Sequence, residues 1–567
     1  MRLARACALP RLSARSGALR FKFSQNKKKP VAHDGKSVHG NTEFIVLNRR
    51  IVESSNAETI LALFTNEAYT FNEVNVSSAL HRLAKLTKRS VIRQREANGT
   101  DQRIEALVRR ATDDVSKLDS RGLASVSWAA AKIGGLESSK ALYEAVALES
   151  VKKIADCNPQ QLANLAWAFG KAGVCSPEML EAVAAESVVK IEDFHAQELA
   201  NLVWGFAQVN VQAPVLFKAV AKRSFKELRR FDARGLADTA WAFTTLKCVD
   251  APLFKALALE APSKMGQFKS HGLANLAWAF ATAGLRDEAV FHALAAESTR
   301  QLESFSSAEL ANIVWAFAKV QIQAPALFQA VAAYAPAKIS AFLTWASPHT
   351  AHACSTASAL TNLSWAFAKA GVEAPQLFQA LEEETLFKLA TFSPQELANT
   401  AWAFSTAKVD APKLFEAIAG EAKRQIETFD AEDLAGTVWA QWTPGPLANV
   451  ACAYANAGVP SPTLFGAVAD EAARQASALE AQELTSISWA FATAGVAEEH
   501  PALFAAVGRA AAKKMASFSP KDRETIAWAF SRAGDTEANL ALLDAVAAAQ
   551  MEESLARYDA DGNVYFK

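Results

Sequence analysis

Leu162-Ala-Asn-Leu-Ala-Trp-Ala-Phe-Gly-Lys-Ala-Gly173, followed by Ser176-Pro177-Glu-Met-Leu-Glu-Ala-Val-Ala184, is the stretch that decides the fold. Its first half is dense in Ala and Leu, both strong helix formers, and ends on a glycine suited to a helix C-cap. Its second half begins with proline, whose fixed φ and missing N–H fit the first turn of a helix. The unit therefore reads as helix A, a short turn and helix B. It returns as Leu397-Ala-Asn-Thr-Ala-Trp-Ala-Phe404 with Ala411-Pro412-Lys-Leu-Phe-Glu-Ala-Ile-Ala419. Tryptophan marks the period: Trp128, Trp167, Trp204, Trp241, Trp278, Trp315, Trp365, Trp402, Trp439, Trp489 and Trp528 are spaced mostly by 37 residues. Cys452 occupies the same place in Leu447-Ala-Asn-Val-Ala-Cys-Ala-Tyr454. A helix pair this short cannot bury its apolar face alone, so neighbours must stack. The expected fold is all-α, a right-handed α-solenoid of about 12 helix-turn-helix repeats of about 37 residues.

Composition agrees. A chain of 567 residues is too long for one ordinary core. Scarce Gly (24) and Pro (19) disfavour a turn-rich β protein. No apolar run reaches 18 residues, so no membrane span is expected. The six cysteines, Cys7, Cys157, Cys175, Cys248, Cys354 and Cys452, show no CxxC pair, disulfide framework or zinc site. His349, His352 and Cys354 lack a fourth ligand, and the Asp559-Ala-Asp561-Gly562 run lacks the spacing of a calcium loop. No nucleophile, phosphate-loop or dinucleotide motif is present, so neither enzyme activity nor a metal or other cofactor is expected.

Residues 1–33 carry Arg2, Arg5, Arg11, Arg15, Arg20, Lys22, Lys27, Lys28 and Lys29 and no acid. That pattern, rich in Arg, Ala, Ser and Leu, marks a disordered organellar transit peptide, mitochondrial (matrix) first and plastid second. The net charge of zero then hides a remainder nine charges negative. A polyanion must find a local basic stripe on such a chain.

The expected organisation is a transit peptide (1–33), an N-terminal helical lead-in with a degenerate repeat (34–115), the solenoid (116–548) and a C-terminal tail (549–567). The degenerate repeat puts His81 at the tryptophan place. Two irregularities stand out: an insertion near 341–356, and a truncated repeat near 439–447, where a first helix around Trp439 has no second.

On a helical wheel with tryptophan at 0°, the leucine five before, the residue two before and the phenylalanine two after fall at about 220°, 160° and 200°. They form the stripe that faces helix B. The residues three before and four after fall beside the tryptophan, at about 60° and 40°. The first place holds Asn164, Asn201, Asp238, Asn275, Asn312, Asn362, Asn399 and Asn449; the second holds Lys171, Gln208, Lys319, Lys369 and Arg532, with Thr in several repeats. Asparagine is a poor mid-helix residue, so something offsets its cost. Aromatic, amide and cation together suit a single-stranded nucleic acid: Trp167, Trp204, Trp241, Trp278, Trp315, Trp365 and Trp402 for stacking, amides for base edges, cations for phosphate. Two plainer readings stand beside it. The tryptophans serve as core, and the asparagines form a ladder that caps neighbouring helix carbonyls. The variable place four after is the better candidate for reading sequence.

The repeat resembles those of organellar octotricopeptide and heptatricopeptide proteins and of the FAST-kinase-like leucine-rich proteins, over about residues 71–548. That resemblance implies binding of single-stranded organellar RNA in transcript stability, processing or translation. The implied protein is a monomer, with ribosomal or RNA-processing proteins as further partners. Many such proteins end in a RAP domain. None is recognisable after residue 548, which argues against cleavage activity. The alternative reading is a protein-binding α-solenoid scaffold, for which a neutral or acidic groove is expected in place of a basic one.

Overall fold

The computed structural model describes residues 38–86, 101–337, 339, 356–428, 444–459, 461–534 and 536–555. The expected transit peptide, the bulk of the insertion, the helix around Trp439 and Asp559–Asp561 lie outside them. The described residues form 26 α-helices and short 3₁₀ turns, numbered α1 to α26 in chain order.

Odd-numbered helices are the A helices: α1 Val38–Glu53, α3 Glu73–Leu86, α5 Ser120–Ile133, α7 Pro159–Ala172, α9 Ala196–Gln208, α11 Ala233–Thr245, α13 Ser270–Thr282, α15 Ser307–Val320, α17 Thr356–Ala370, α19 Pro394–Thr406, α21 Pro444–Ala457, α23 Ala481–Ala494 and α25 Pro520–Phe530. The B helices alternate with them: α2 Ala57–Glu67, α4 Gln102–Asp113, α6 Ser139–Lys153, α8 Pro177–Val189, α10 Pro214–Glu227, α12 Ala251–Glu260, α14 Glu288–Arg300, α16 Pro325–Tyr334, α18 Pro375–Lys388, α20 Pro412–Thr428, α22 Pro462–Gln475, α24 Pro501–Lys514 and α26 Glu537–Leu555. The lead-in thus holds two helix pairs, α1–α2 ahead of the degenerate repeat α3–α4, although neither pair carries the tryptophan and proline signature. The last helix, which ends at Leu555, runs seven residues into the expected tail.

Local chemistry starts and stops these helices. Asn158 and Gln161 bond each other's backbone N–H in a capping box ahead of α7, and Ser393 and Glu396 do so ahead of α19. Many of the A helices end on a residue in the left-handed region. Glycine takes that place at Gly173, Gly284 and Gly371, but Asn210, Lys247, Gln321 and Lys408 take it in other repeats with φ of 54° to 58°. A Cβ is costly in that conformation. Lys247→Gly is therefore expected to stabilise the chain by roughly 1 kcal/mol. Urea titration checks this, and an unchanged or lower midpoint would contradict it.

The stack is an α-solenoid. Leu162, Leu165 and Phe169 of α7 are fully buried, as are their counterparts in other repeats, and one apolar core runs from Leu47 to Val546. Several B helices send an aromatic ring edge-on into the A helix of the following repeat. Tyr143 meets Phe169 at 5.0 Å, Phe291 meets Phe317 at 5.0 Å, and Phe465 meets Phe491 at 5.0 Å. Polar clamps add to the coupling. Lys190 Nζ donates to the carbonyls of Ala155 and Cys157 in the preceding repeat, at 2.7 and 2.6 Å, and Lys153, Lys264 and Lys514 repeat the arrangement. These bonds satisfy carbonyls that the turn leaves open.

The stack is continuous across both irregularities. α15 packs directly on α17, and α19 directly on α21. Consecutive A helices pack far more extensively than consecutive B helices. Layers that approach more closely on one side curve towards it, so the A helices line the inner, concave surface. No described helix is long and apolar enough to cross a membrane.

Candidate nucleic-acid interface

The A helices present their tryptophans on the face turned away from helix B. Trp167, Trp204, Trp241, Trp278, Trp315, Trp365 and Trp402 are all half-buried: each packs one side on the core and leaves the other at the inner surface. Trp528, in the last A helix, is 41% exposed. The tryptophans thus contribute to the core and also reach the surface. Rings of successive repeats lie along one line, with centroids at 6.4 Å for Trp128–Trp167, 6.1 Å for Trp167–Trp204, 6.3 Å for Trp315–Trp365 and 6.2 Å for Trp365–Trp402. His81 extends the line, 4.8 Å from Trp128. Burial, then the positive field of Lys85, Arg121 and Lys132, holds its imidazole below the usual histidine range. His81 thus stands in the line as a neutral ring.

Beside the indoles lie the amides. Asn164, Asn201, Asn275, Asn312, Asn362 and Asn399 are half-buried and Asn449 is exposed. No bond to a neighbouring helix carbonyl holds Asn164, Asn201, Asn275, Asn312, Asn399 or Asn449 among the described residues, so the expected ladder does not form at these places. Asn275 meets His271 Nε2 at 3.1 Å and Asn399 accepts from Gln395 Nε2 at 2.9 Å, both within one helix. Asn164, Asn201, Asn312 and Asn449 meet no hydrogen-bond partner among the described residues. Their side chains are open to whatever occupies the groove. Asp238 differs: it is buried and paired with Arg234 Nε at 3.0 Å. Burial pushes its carboxyl up, an effect that Arg234 only partly offsets.

The place four residues after tryptophan is exposed at Lys132, Lys171, Lys319, Lys369 and Arg532 and half-buried at Gln208. Lys132 Nζ lies 4.8 Å from the Trp128 ring centroid, and the Arg532 guanidinium 5.3 Å from that of Trp528. These cation–π contacts hold the charge at the inner surface.

One further place belongs to the stripe and was not read from the sequence. Seven residues before tryptophan, at about 20° on the same wheel, the helix again faces inwards. Arg121, Gln160, Gln197, Arg234, His271, Gln395, Gln482 and Lys521 occupy it, all exposed. Across the four inward places of the described repeats, counting from His81 to Trp528, stand nine Lys or Arg and one acid, the paired Asp238. Other carboxylates at the N-terminal edge of the A helices are engaged. Glu309 and Glu483 accept from the backbone N–H of Ser306 and Glu480, both at 2.8 Å, and close capping boxes. A chain whose remainder is net negative thus gathers cations along its inner surface.

The profile of the RNA-editing substrate-binding complex 6 protein family matches residues 70–325 and, in an overlapping second match, residues 259–443. Together they cover more than half of the chain. The chain belongs to this family. The matched span of this family member runs from the His81 repeat through the Trp402 repeat, and so takes in the aromatic line. The chain is also similar to a chloroplastic RAP domain-containing protein of Oryza sativa subsp. japonica, 26% identical over 147 residues. That match covers 24% of this chain and 23% of the rice protein, so the chain spans less than a quarter of that relative's length. Among solved structures, a chain of the full-length AP-3 complex aligns at 11% identity over 92% of both chains with a TM-score of 0.28. A circular tandem repeat protein aligns at 12% identity over 91% of this chain and 99% of its own, with a TM-score of 0.16. At such scores the family's fold rests on the helix packing described above.

Proposed function

We propose that this protein binds single-stranded RNA along the inner face of its A helices, as a non-catalytic factor in the post-transcriptional handling of organellar transcripts. The observation that carries the reading is the composition of the inner stripe. Half-buried indoles, amides (four of them, Asn164, Asn201, Asn312 and Asn449, without a hydrogen-bond partner among the described residues) and nine cations lie in register on one surface, while the rest of the chain is net negative. Indoles stack on any base, amides meet base edges and cations meet phosphate. A scaffold built to grip a peptide would call for a neutral or acidic groove. The names of the family and of the rice relative point the same way. The octotricopeptide-like repeat, a place in the mitochondrial matrix suggested by the acid-free leader, and ribosomal or RNA-processing partners complete the reading.

Fluorescence anisotropy of the full chain with labelled single- and double-stranded RNA tests it. Single strands should bind at least about tenfold tighter, because a duplex hides the base faces that indoles require. With about six phosphates neutralised, log K should fall against log salt with a slope near −4. Tryptophan fluorescence should drop on binding. Equal affinity for duplex, or binding indifferent to salt, would contradict the reading.

A further inference from the structure

The positive charge of the inner surface is not spread evenly. Four of its nine cations, Lys85, Arg121, Lys132 and Lys171, belong to the first three ring places, His81, Trp128 and Trp167. The next four places, Trp204 to Trp315, hold two, Arg234 and Lys319, and Arg234 is paired with Asp238. The charge converges on the first ring of the line. Lys85, Arg121 and Lys132 are all exposed, and the positive field of each reaches the His81 imidazole. Lys85 rises from the same helix one turn on, while Arg121 and Lys132 stand on α5, before and after Trp128. The rings themselves are held in place. His81 lies 4.8 Å from Trp128, Ser125 Oγ meets its Nδ1 at 3.3 Å, and Lys132 Nζ stands 4.8 Å from the Trp128 centroid. On the outward side α1 packs on α3, and its exposed Arg49 and Arg50 are already paired, with Glu53 at 2.8 Å and Glu67 at 2.9 Å.

A phosphodiester inside a strand carries a single charge and asks for a single cation. A phosphate at the end of a strand carries about two charges near neutral pH and offers three acceptor oxygens. The convergent Lys85, Arg121 and Lys132, with an arginine able to hold two oxygens at once, match the end better than the interior. The ring pair beside them gives the terminal base a face to stack on. Resting on the RNA reading above, we propose that the His81–Trp128 end of the inner surface is a terminal-phosphate site, where Lys85, Arg121 and Lys132 hold the phosphorylated end of a single-stranded RNA. The rest of the strand runs from there along the later tryptophans. The opposite end of the array is a poorer match. Lys521 and Arg532 flank Trp528, but Glu524 lines the same hollow with Thr525 and would repel a phosphate. A strand whose end is held in this way is shielded from enzymes that digest from that end.

The test uses the full chain and an oligouridylate of about ten nucleotides in three forms: hydroxyl at both ends, phosphate at the 5′ end only, and phosphate at the 3′ end only. One phosphorylated form should bind about tenfold tighter than the hydroxyl form near physiological salt, with a slope of log K against log salt steeper by about 1. Which form gains fixes the direction of the strand along the array. Lys85→Ala/Arg121→Ala/Lys132→Ala should weaken all three forms and bring them within about twofold of one another. Lys319→Ala/Lys369→Ala should also weaken all three, because those lysines belong to the same stripe, yet should keep the ratio of about tenfold. Thermal unfolding will confirm that both variants fold. Equal affinity of the three forms, an equal gain at both ends, or a gain that survives the triple substitution would overturn the terminal site and leave a groove that holds strand interiors. Failure of the unaltered chain to bind any form is a different result, and would overturn the RNA reading beneath it.

Discussion

Gly205→Ala is expected to destabilise the array by about 3 kcal/mol and to split its unfolding into two transitions. The reason lies where α7 crosses α9. A Cβ built on Gly205 collides with the carbonyl of Ala166 and comes within 2.8 Å of the Trp167 nitrogen; one on Gly170 comes within 2.7 Å of the Gly205 Cα. These are backbone atoms, which cannot swing aside as a side chain can. The helices must separate, and the apolar contacts along their crossing are lost. In a solenoid each repeat is held mainly by its neighbours, so a weakened interface uncouples the segments on either side. Gly466, in α22, provides the control: nothing lies within 4 Å of its Cβ position, and it has ordinary helical backbone. Gly466→Ala should stabilise the chain by up to about 1 kcal/mol through helix propensity. Calorimetric melts of the two variants decide the matter. A Gly205→Ala melt indistinguishable from that of the unaltered chain would show that the A helices are not in the close contact described.

The second large effect concerns binding. Reversing four inner charges, Lys132→Glu, Lys171→Glu, Lys319→Glu and Lys369→Glu together, should weaken single-stranded RNA binding at least about a thousandfold near physiological salt. All four side chains are exposed, so the fold should tolerate the change. Each lost phosphate contact also removes about 0.7 from the slope of log K against log salt, so the slope should become shallower by about 3. Reversal of four lysines on the outer B helices, such as Lys140, Lys218, Lys255 and Lys413, should leave the slope nearly unchanged. If the inner and outer sets behave alike, the A face is not the binding surface.

Much of the fold was legible because the period is written in residues that seldom repeat by chance. Tryptophan near 37-residue intervals and proline at the head of helix B set the register. The places five before, two before and two after then fall on one side of the helix by geometry alone. The inner stripe was half legible. The places three before and four after tryptophan were read, but the place seven before, one turn further back, was not, although its arginines and glutamines lie on the same line. Other features depend on distances that sequence does not show. Which layer is concave follows from how closely Ala- and Gly-rich A helices approach, a property of the packed pair. The clamps from Lys153 and Lys190 join atoms more than 30 residues apart. Asn210, Lys247, Gln321 and Lys408 hold a conformation that favours glycine, so nothing in their identity announces it. The α1–α2 pair carries neither marker, and only its packing against α3 and α4 shows that it continues the stack. Asparagine misled in another way. Its recurrence suggested bonds between helices, yet several of these amides are unbonded at the surface, so their cost in the helix is not recovered by a cap.

Ultraviolet crosslinking of the full chain to single-stranded RNA, with mass-spectrometric mapping of the modified peptides, tests the central claim most directly. Adducts should fall on peptides of the A helices that carry Trp128, Trp167, Trp365 and their counterparts, and should vanish on competition with unlabelled RNA. Adducts concentrated on the B helices, or none on the A helices under conditions where RNA is bound, would contradict the account.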